Sequence, residues 1–372
     1  MATEVRPTEK AQRPARSISS SRKQDDIFTR NLWQIPPISA AFAAGYVAFP
    51  NPSNPLRSLF LLSYQLPSAQ DADPSAAAAY GKGPSDILFV AAYTILFCFF
   101  RQFVMSRLLR PLSVRVGIKG DGKQERFCEQ IYSATYAITM GILGLAIMKG
   151  TPMWYFNTAA FYEEYPHRTL DGGLKAYYLI QAAFWVHQML VLVLGLEKPR
   201  KDFHELIAHH IITVSLIGLS YHFHFTHIGL AVFISNDIPE FFLATSKALH
   251  YVDFPLIAPY FAIFISAWIY MRHYLSLRII WSLFTEFRTV GPYGMDWDNE
   301  QYKGELANGI AIVLLGTLQL LNLYWLRLLL NIAKGFLLDG EARDDRSDDE
   351  DDEVEEEEEK ESTADALDEV LS

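Results

Sequence analysis

The stretch Phe203–Lys247, FHELIAHHIITVSLIGLSYHFHFTHIGLAVFISNDIPEFFLATSK, reads as two apolar helices joined by a tight turn. Each is close to the roughly 20 residues that cross a bilayer. Inside these apolar runs stand His209, His210, Asn236, Asp237 and Glu240. Ionisable side chains at membrane depth are costly, and they mark functional sites. If the first helix enters near Lys201 and the second leaves near Lys247, a rise of 1.5 Å per residue puts His209 about 12 Å and Asp237 about 15 Å from the same face. Imidazole and carboxylate then lie at one level.

Adjacent residues differ by about 100° around a helix, so His209 and His210 are not expected to face one cavity. His209 shares its row with Asp202, Glu205, Thr213 and Ser220, whereas His210 shares its row with Phe203, Leu206, Val214 and Ile217. His209 is therefore the expected reacting group, with His210 packed or hydrogen-bonded sideways to a neighbouring helix. Asp237 and Glu240 are three apart and share a face. Pro239 between them removes one backbone hydrogen bond and frees the carbonyl of Ser235.

Working outward, the chain of 372 residues has a mean hydropathy of +0.08, an average over dissimilar parts. From Asp339 onward there are 19 acidic and 3 basic residues, a net of −16, while the whole chain carries −11. Everything before the tail is thus about +5, and the acidic balance belongs to the tail alone. The reading divides the chain into a basic tail expected to be disordered and cytosolic (1–31), N-terminal membrane helices with a cytosolic loop (32–128), a catalytic helix bundle (129–338) and a solvated acidic tail (339–372). Ser347, followed by acidic residues, suits an acidophilic kinase. Cys98 and Cys128 read as small hydrophobes, with no disulfide expected. No signal peptide is read at the N-terminus.

The fold class is an all-α polytopic membrane bundle of about eight helices, near Leu32–Pro50, Asp86–Met105, Gln130–Met148, Leu174–Leu196, Glu205–Tyr221, His227–Leu249, Phe254–Met271 and Asn308–Leu330. Leu56–Leu66 could add a short interfacial piece. The loops holding Arg107, Arg110, Arg115, Lys119, Lys123 and Arg126, and then Lys198, Arg200 and Lys201, are basic. Both termini are therefore expected in the cytosol. Arg278, Arg288 and Lys303 dissent, since they fall on the opposite side.

Three chemistries compete for the buried stretch. The histidines and carboxylates could be hydrogen-bonded bundle residues. They could belong to a metal-dependent lipid hydroxylase, but HxxxxHH at His204–His210 is too long for such boxes, and His222, His224 and His227 lie at the opposite face. Or they carry acyl transfer, which needs an imidazole, a carboxylate and an apolar chamber. The basic residues Lys198, Arg200, Lys201, Arg107 and Arg110 would then suit a phosphate-bearing donor, although topology alone also demands positive charge there.

The sequence also resembles the ceramide synthases, membrane N-acyltransferases with a TLC-type domain. The matching elements are EKPRKDF at Glu197–Phe203, the His209–His210 pair, SYHFHFTHIGLA at Ser220–Ala231, Asn236-Asp237 with Glu240, and LRIIWSLFTEF at Leu277–Phe287. QAAFW at Gln181–Trp185, QYK at Gln301–Lys303, LQLLNLYW at Leu318–Trp325 and the acidic tail look most like the fungal branch. The resemblance implies transfer of a fatty acyl group from acyl-CoA to a sphingoid base in the endoplasmic reticulum. His209, His210, Asp237 and Glu240 would be catalytic, and Asn236 and Thr213 would bind substrate. Glu240 stands where the family usually has aspartate. His209 would either take the acyl group as an acyl-imidazole or act as a general base. No cofactor or metal is expected, acyl-CoA being a substrate, and no nucleic-acid partner. The resemblance further implies a small membrane-anchored accessory subunit, dimerisation, and a link between acyl length and the segment from about Gly291 to Gly309. A non-enzymatic lipid-binding or lipid-moving TLC protein is the alternative.

Overall fold

The structure is a computed structural model that describes residues 56–67, 78–196 and 201–339. The basic N-terminal tail, the predicted span Leu32–Pro50, Lys198, Arg200 and the tail with Ser347 lie outside the described residues. A single helical turn, Arg57–Phe60, stands where the interfacial piece was read, and it leads into an extended segment that bridges Gln65 to Tyr80.

Helix follows helix as the apolar runs require. They are α1 (Ser85–Phe103), α2 (Arg110–Arg115), α3 (Asp121–Lys149), α4 (Gly172–Val193), α5 (Phe203–His222), α6 (Thr226–Tyr251), α7 (Ile257–Trp268), α8 (Ser276–Thr285) and α9 (Glu305–Asp339). A π-helical section, Val104–Leu109, joins α1 to α2, and another, Ile269–Leu275, joins α7 to α8. Among the described residues six helical runs are long and apolar enough to cross a membrane: α1 with its extension to Arg115, α3, α4, α5, α6 and α9 as far as Gly335. The seventh predicted span, Phe254–Met271, proves to be part of a helical run from Ile257 to Thr285, about 43 Å at 1.5 Å per residue. Arg278, one of the dissenting cations, therefore sits on a helix rather than in a loop. The one departure from an all-α architecture among the described residues is a two-residue antiparallel pair, Ala79–Tyr80 with Leu170–Asp171.

Small residues set the closest approaches, as is usual between helices in lipid. A Cβ on Gly144 of α3 would lie 2.7 Å from Ile234 Cγ1 of α6 and 2.7 Å from Tyr177 Oη of α4. One on Gly229 would lie 2.0 Å from Tyr178 Oη. The absent side chains bring α3 and α4 against α6 over the segment that carries Asp237. α6 is accordingly the most enclosed span, with Leu230, Ala231, Ile234 and Ser235 fully buried.

The end of the bundle where α5 stops and α6 starts is closed by a polar network. Lys175, fully buried, pairs with Asp86 at 2.8 Å and donates to the carbonyls of Ser63 and Gly81. Tyr221 donates to the other oxygen of Asp86 at 2.8 Å. Lys82 donates to Tyr221 O at 3.2 Å and meets His224 Nδ1 at 3.1 Å. Burial pushes the Lys82 ammonium down to about 7, and burial together with Lys82 pushes His224 down to about 3. A neutral His224 accepts from Lys82 through Nδ1 and leaves its Nε2–H toward Glu300, 3.5 Å away. Of the remaining dissenting cations, Arg288 pairs with Glu305 at 2.6 Å, and Lys303 is buried with its ammonium donating to the carbonyl of Val290. Positive charge at this end is thus neutralised by protein groups.

Candidate active site

His209 enters the bundle on the second turn of α5, and Asp237 lies midway along α6. Both are buried, at 7% and 4% exposure, as are His210 and Asn236. Two cavities meet between these helices. One encloses about 210 Å³ and is polar, with Arg101, Arg126, Gln188, Asp202, Glu240, Lys247 and Arg272 in its wall. The other encloses about 140 Å³ and is almost wholly apolar. It follows α5 from His209 through Thr213 to Phe223, about 21 Å at the helical rise, and α9 from Leu306 to Leu318. His209, Trp185, Asn236 and Asp237 line both, so imidazole and carboxylate both border the junction of the two cavities.

The expectation that only one histidine reaches a cavity is overturned. Both line the polar cavity, and the indole of Trp185 lies edge-on to both rings, 5.5 Å from His209 and 5.6 Å from His210. The two still differ, since His209 alone continues into the apolar cavity. His210 Nδ1 meets the carbonyl of Leu206 in its own helix at 2.8 Å. His209 Nδ1 is buried and has no hydrogen-bond partner among the described residues.

The two carboxylates are held differently. Asp237 accepts from Gln181 Nε2 at 2.5 Å, and Tyr136 donates to Gln181 Oε1 at 2.7 Å. A phenol that donates to Oε1 turns the amide so that its N–H groups face Asp237 and Tyr177, the latter at 3.1 Å. Glu240 is instead tied to Arg272 Nη2 at 2.9 Å. The same nitrogen donates to Asn236 O at 3.2 Å, and the guanidinium lies 4.1 Å over the ring of Trp268. The extra methylene of Glu240 reaches toward a cation on the next helical run. That ion pair engages the Glu240 carboxylate with a protein partner.

The predicted basic residues separate. Arg107 and Arg110 are exposed and off the cavities, and Arg110 pairs with Asp121 at 2.8 Å. Lys201 is exposed and also off them, because it precedes the turn that carries Asp202 inward. The cations on the polar cavity are Arg101, Arg126, Lys247 and Arg272, and Arg126 Nη2 is buried without a partner among the described residues. Thr213 lines the apolar cavity with its hydroxyl likewise unpartnered among the described residues. Among the described residues no three His, Cys, Asp or Glu side chains come together as metal ligands. Cys98 and Cys128 are both free thiols.

Residues 126–331 match the TLC-domain family. Over 337 residues the chain is 44% identical to the sphingosine N-acyltransferase lac1 of Schizosaccharomyces pombe, covering 90% of this chain and 86% of that one. It is 43% identical over 295 residues to the ceramide synthase LAG1 of Saccharomyces cerevisiae (79% and 70%). It is 48% identical over 326 residues to the sphingosine N-acyltransferase-like protein FUM17 of Gibberella moniliformis (87% and 84%). The chain belongs to the TLC-domain family of ceramide synthases.

In this ceramide synthase several site residues escaped the sequence reading. Gln181 and Trp185 were quoted only as part of a matching motif, though a glutamine inside an apolar run is a polar signal of the same kind as His209. Arg272 was missed because the seventh span was ended at Met271, one residue short. The π-helical section that carries it gives no sequence signal of its own, yet such sections are frequent at functional sites.

Proposed function

We propose that this protein is a multi-pass membrane ceramide synthase that transfers a fatty acyl group from acyl-CoA to the amine of a sphingoid base. One observation carries the proposal: a polar, cation-bearing cavity and an apolar one meet at His209 and Asp237. The donor has the matching division, with phosphates and amides on one side of its thioester and hydrocarbon on the other. The polar cavity takes the CoA portion, with Arg101, Arg126 and Lys247 as its cations. The apolar cavity takes the acyl chain. Met295, Trp297, Tyr302 and Leu306 stand at its far end, which gives the segment from about Gly291 to Gly309 a direct way to limit chain length.

His209 attacks the thioester through its free nitrogen lone pair, giving an acyl-imidazole, and CoA leaves through the polar cavity. The sphingoid amine then loses a proton to Asp237 and takes the acyl group. His209 Nδ1 is not held by a carboxylate. Asp237 therefore serves the incoming amine across the junction rather than orienting the imidazole. In this reading the polar cavity opens to the cytosol and both termini are cytosolic, which the basic loops support, and the membrane is that of the endoplasmic reticulum, as the family resemblance implies. A small membrane-anchored subunit and dimerisation belong to the same reading. Incubating the purified protein with a panel of acyl-CoAs and sphingoid bases tests it. Ceramide is the expected product, and binding of both substrates without any product would reduce the protein to a lipid binder.

A further inference from the structure

The two indoles that flank His209 differ in one respect. Trp325 stands 5.3 Å from the imidazole and Trp185 5.5 Å, both edge-on. Trp325 donates its N–H to Asp202 Oδ2 at 3.1 Å. The N–H of Trp185 is buried and has no acceptor among the described residues. A buried donor left without a partner costs about 1–3 kcal/mol. A phenylalanine would keep an aromatic ring beside His209 without that cost, so an indole at this place asks for an acceptor that arrives with the substrate. Trp185 also lines both cavities, which is where a thioester must lie when its acyl chain occupies one and its CoA portion the other.

We propose that the Trp185 N–H is the oxyanion donor of the acyl transfer. The proposal rests on the reading of His209 as the acyl acceptor. The imidazole lone pair forms a bond to the thioester carbonyl carbon, and the π pair of that carbonyl moves onto its oxygen. Trp185 donates to this oxygen as its negative charge develops. The carbonyl re-forms, the carbon–sulfur bond breaks, and CoA leaves as a thiolate that takes the proton lost by the imidazole. When the sphingoid nitrogen attacks, the same oxygen passes through the same charged state. The carbon–imidazole bond then breaks, and the amine proton passes by way of Asp237 to the imidazole nitrogen that leaves, so that both groups return to their starting states. One donor thus serves both halves of the reaction.

The test uses the full chain in detergent or lipid. Trp185→Phe keeps a ring and removes the N–H; kcat is expected to fall about 100-fold to 1,000-fold, the usual effect of deleting one oxyanion donor. KM for either substrate and the melting temperature are expected to stay near those of the unaltered protein. Should Trp185→Phe fail to fold, replacing Trp185 with β-benzothienylalanine keeps the bicyclic shape with sulfur in place of N–H, and the same fall in kcat is expected. Full turnover in either variant overturns the proposal while leaving the acyl-transfer reading intact. An unaltered protein that makes no ceramide overturns the acyl-transfer reading itself.

Discussion

At the scale of single residues, the proposed mechanism divides the work between His209, whose Nδ1 has no partner among the described residues, and Asp237, whose carboxylate accepts from the uncharged amide of Gln181. His209→Ala is expected to abolish ceramide formation while leaving the melting temperature unchanged, since the ring packs edge-on beside two indoles and carries no interhelical hydrogen bond through Nδ1. Asp237→Asn removes the proton acceptor and is expected to lower turnover about 100-fold or more. Tyr136→Phe frees the Gln181 amide to turn, which sets its oxygen against the carboxylate. It is therefore expected to lower kcat with little change in KM, and Gln181→Leu to do so more strongly; steady-state kinetics checks both. Helical rise converts residue count into depth and puts His209 and Asp237 at one level; in the structure both line the same two cavities. The partners of Asp237 were not legible, since they come from α3 and α4 and no spacing along α6 encodes them.

At the scale of elements, α6 is held by close packing on one side and by an arginine on the other. Gly144→Val puts a branched side chain where even a Cβ is 2.7 Å from Ile234 and Tyr177. Overpacking of this kind costs about 1–3 kcal/mol, so a lower melting temperature is expected together with reduced activity. On the other side, Glu240→Gln leaves the Arg272 guanidinium, which is 4% exposed, without its carboxylate. The loss of activity is expected to be smaller than for Asp237→Asn, because Glu240 acts through Arg272 and the α6 backbone. Equal losses in the two variants would assign Glu240 a direct part in the chemistry. Helix existence was legible for the predicted spans that fall on described residues, since apolar runs of spanning length leave few alternatives. The end of the seventh run was not, because charged Arg272 and Arg278 read as a boundary while the helix continues to Thr285.

At the scale of the molecule, one end of the bundle holds an open polar cavity and the other is closed by the Asp86, Lys175, Lys82 and His224 network. Lys82 has its pKa lowered to about 7 by burial, against an ordinary 10.5. Between those values the unfolded chain binds more protons than the folded one, so stability rises with pH from about 7 upward. Thermal unfolding of the full chain should show that rise, and Lys82→Met should flatten it. The burial of Lys175 depends on Asp86 and on the carbonyls of Gly81 and Ser63, 94 and 112 residues away, which no local pattern reveals. The central claim is that the acyl group passes through His209 at the meeting point of the two cavities. Intact mass spectrometry of the purified protein given a long-chain acyl-CoA with the amine withheld tests it most directly. A gain of one acyl group is expected, lost when a sphingoid base is added and never formed in His209→Ala; an altered protein that still gains the acyl group, or makes ceramide at the unaltered rate, would contradict it.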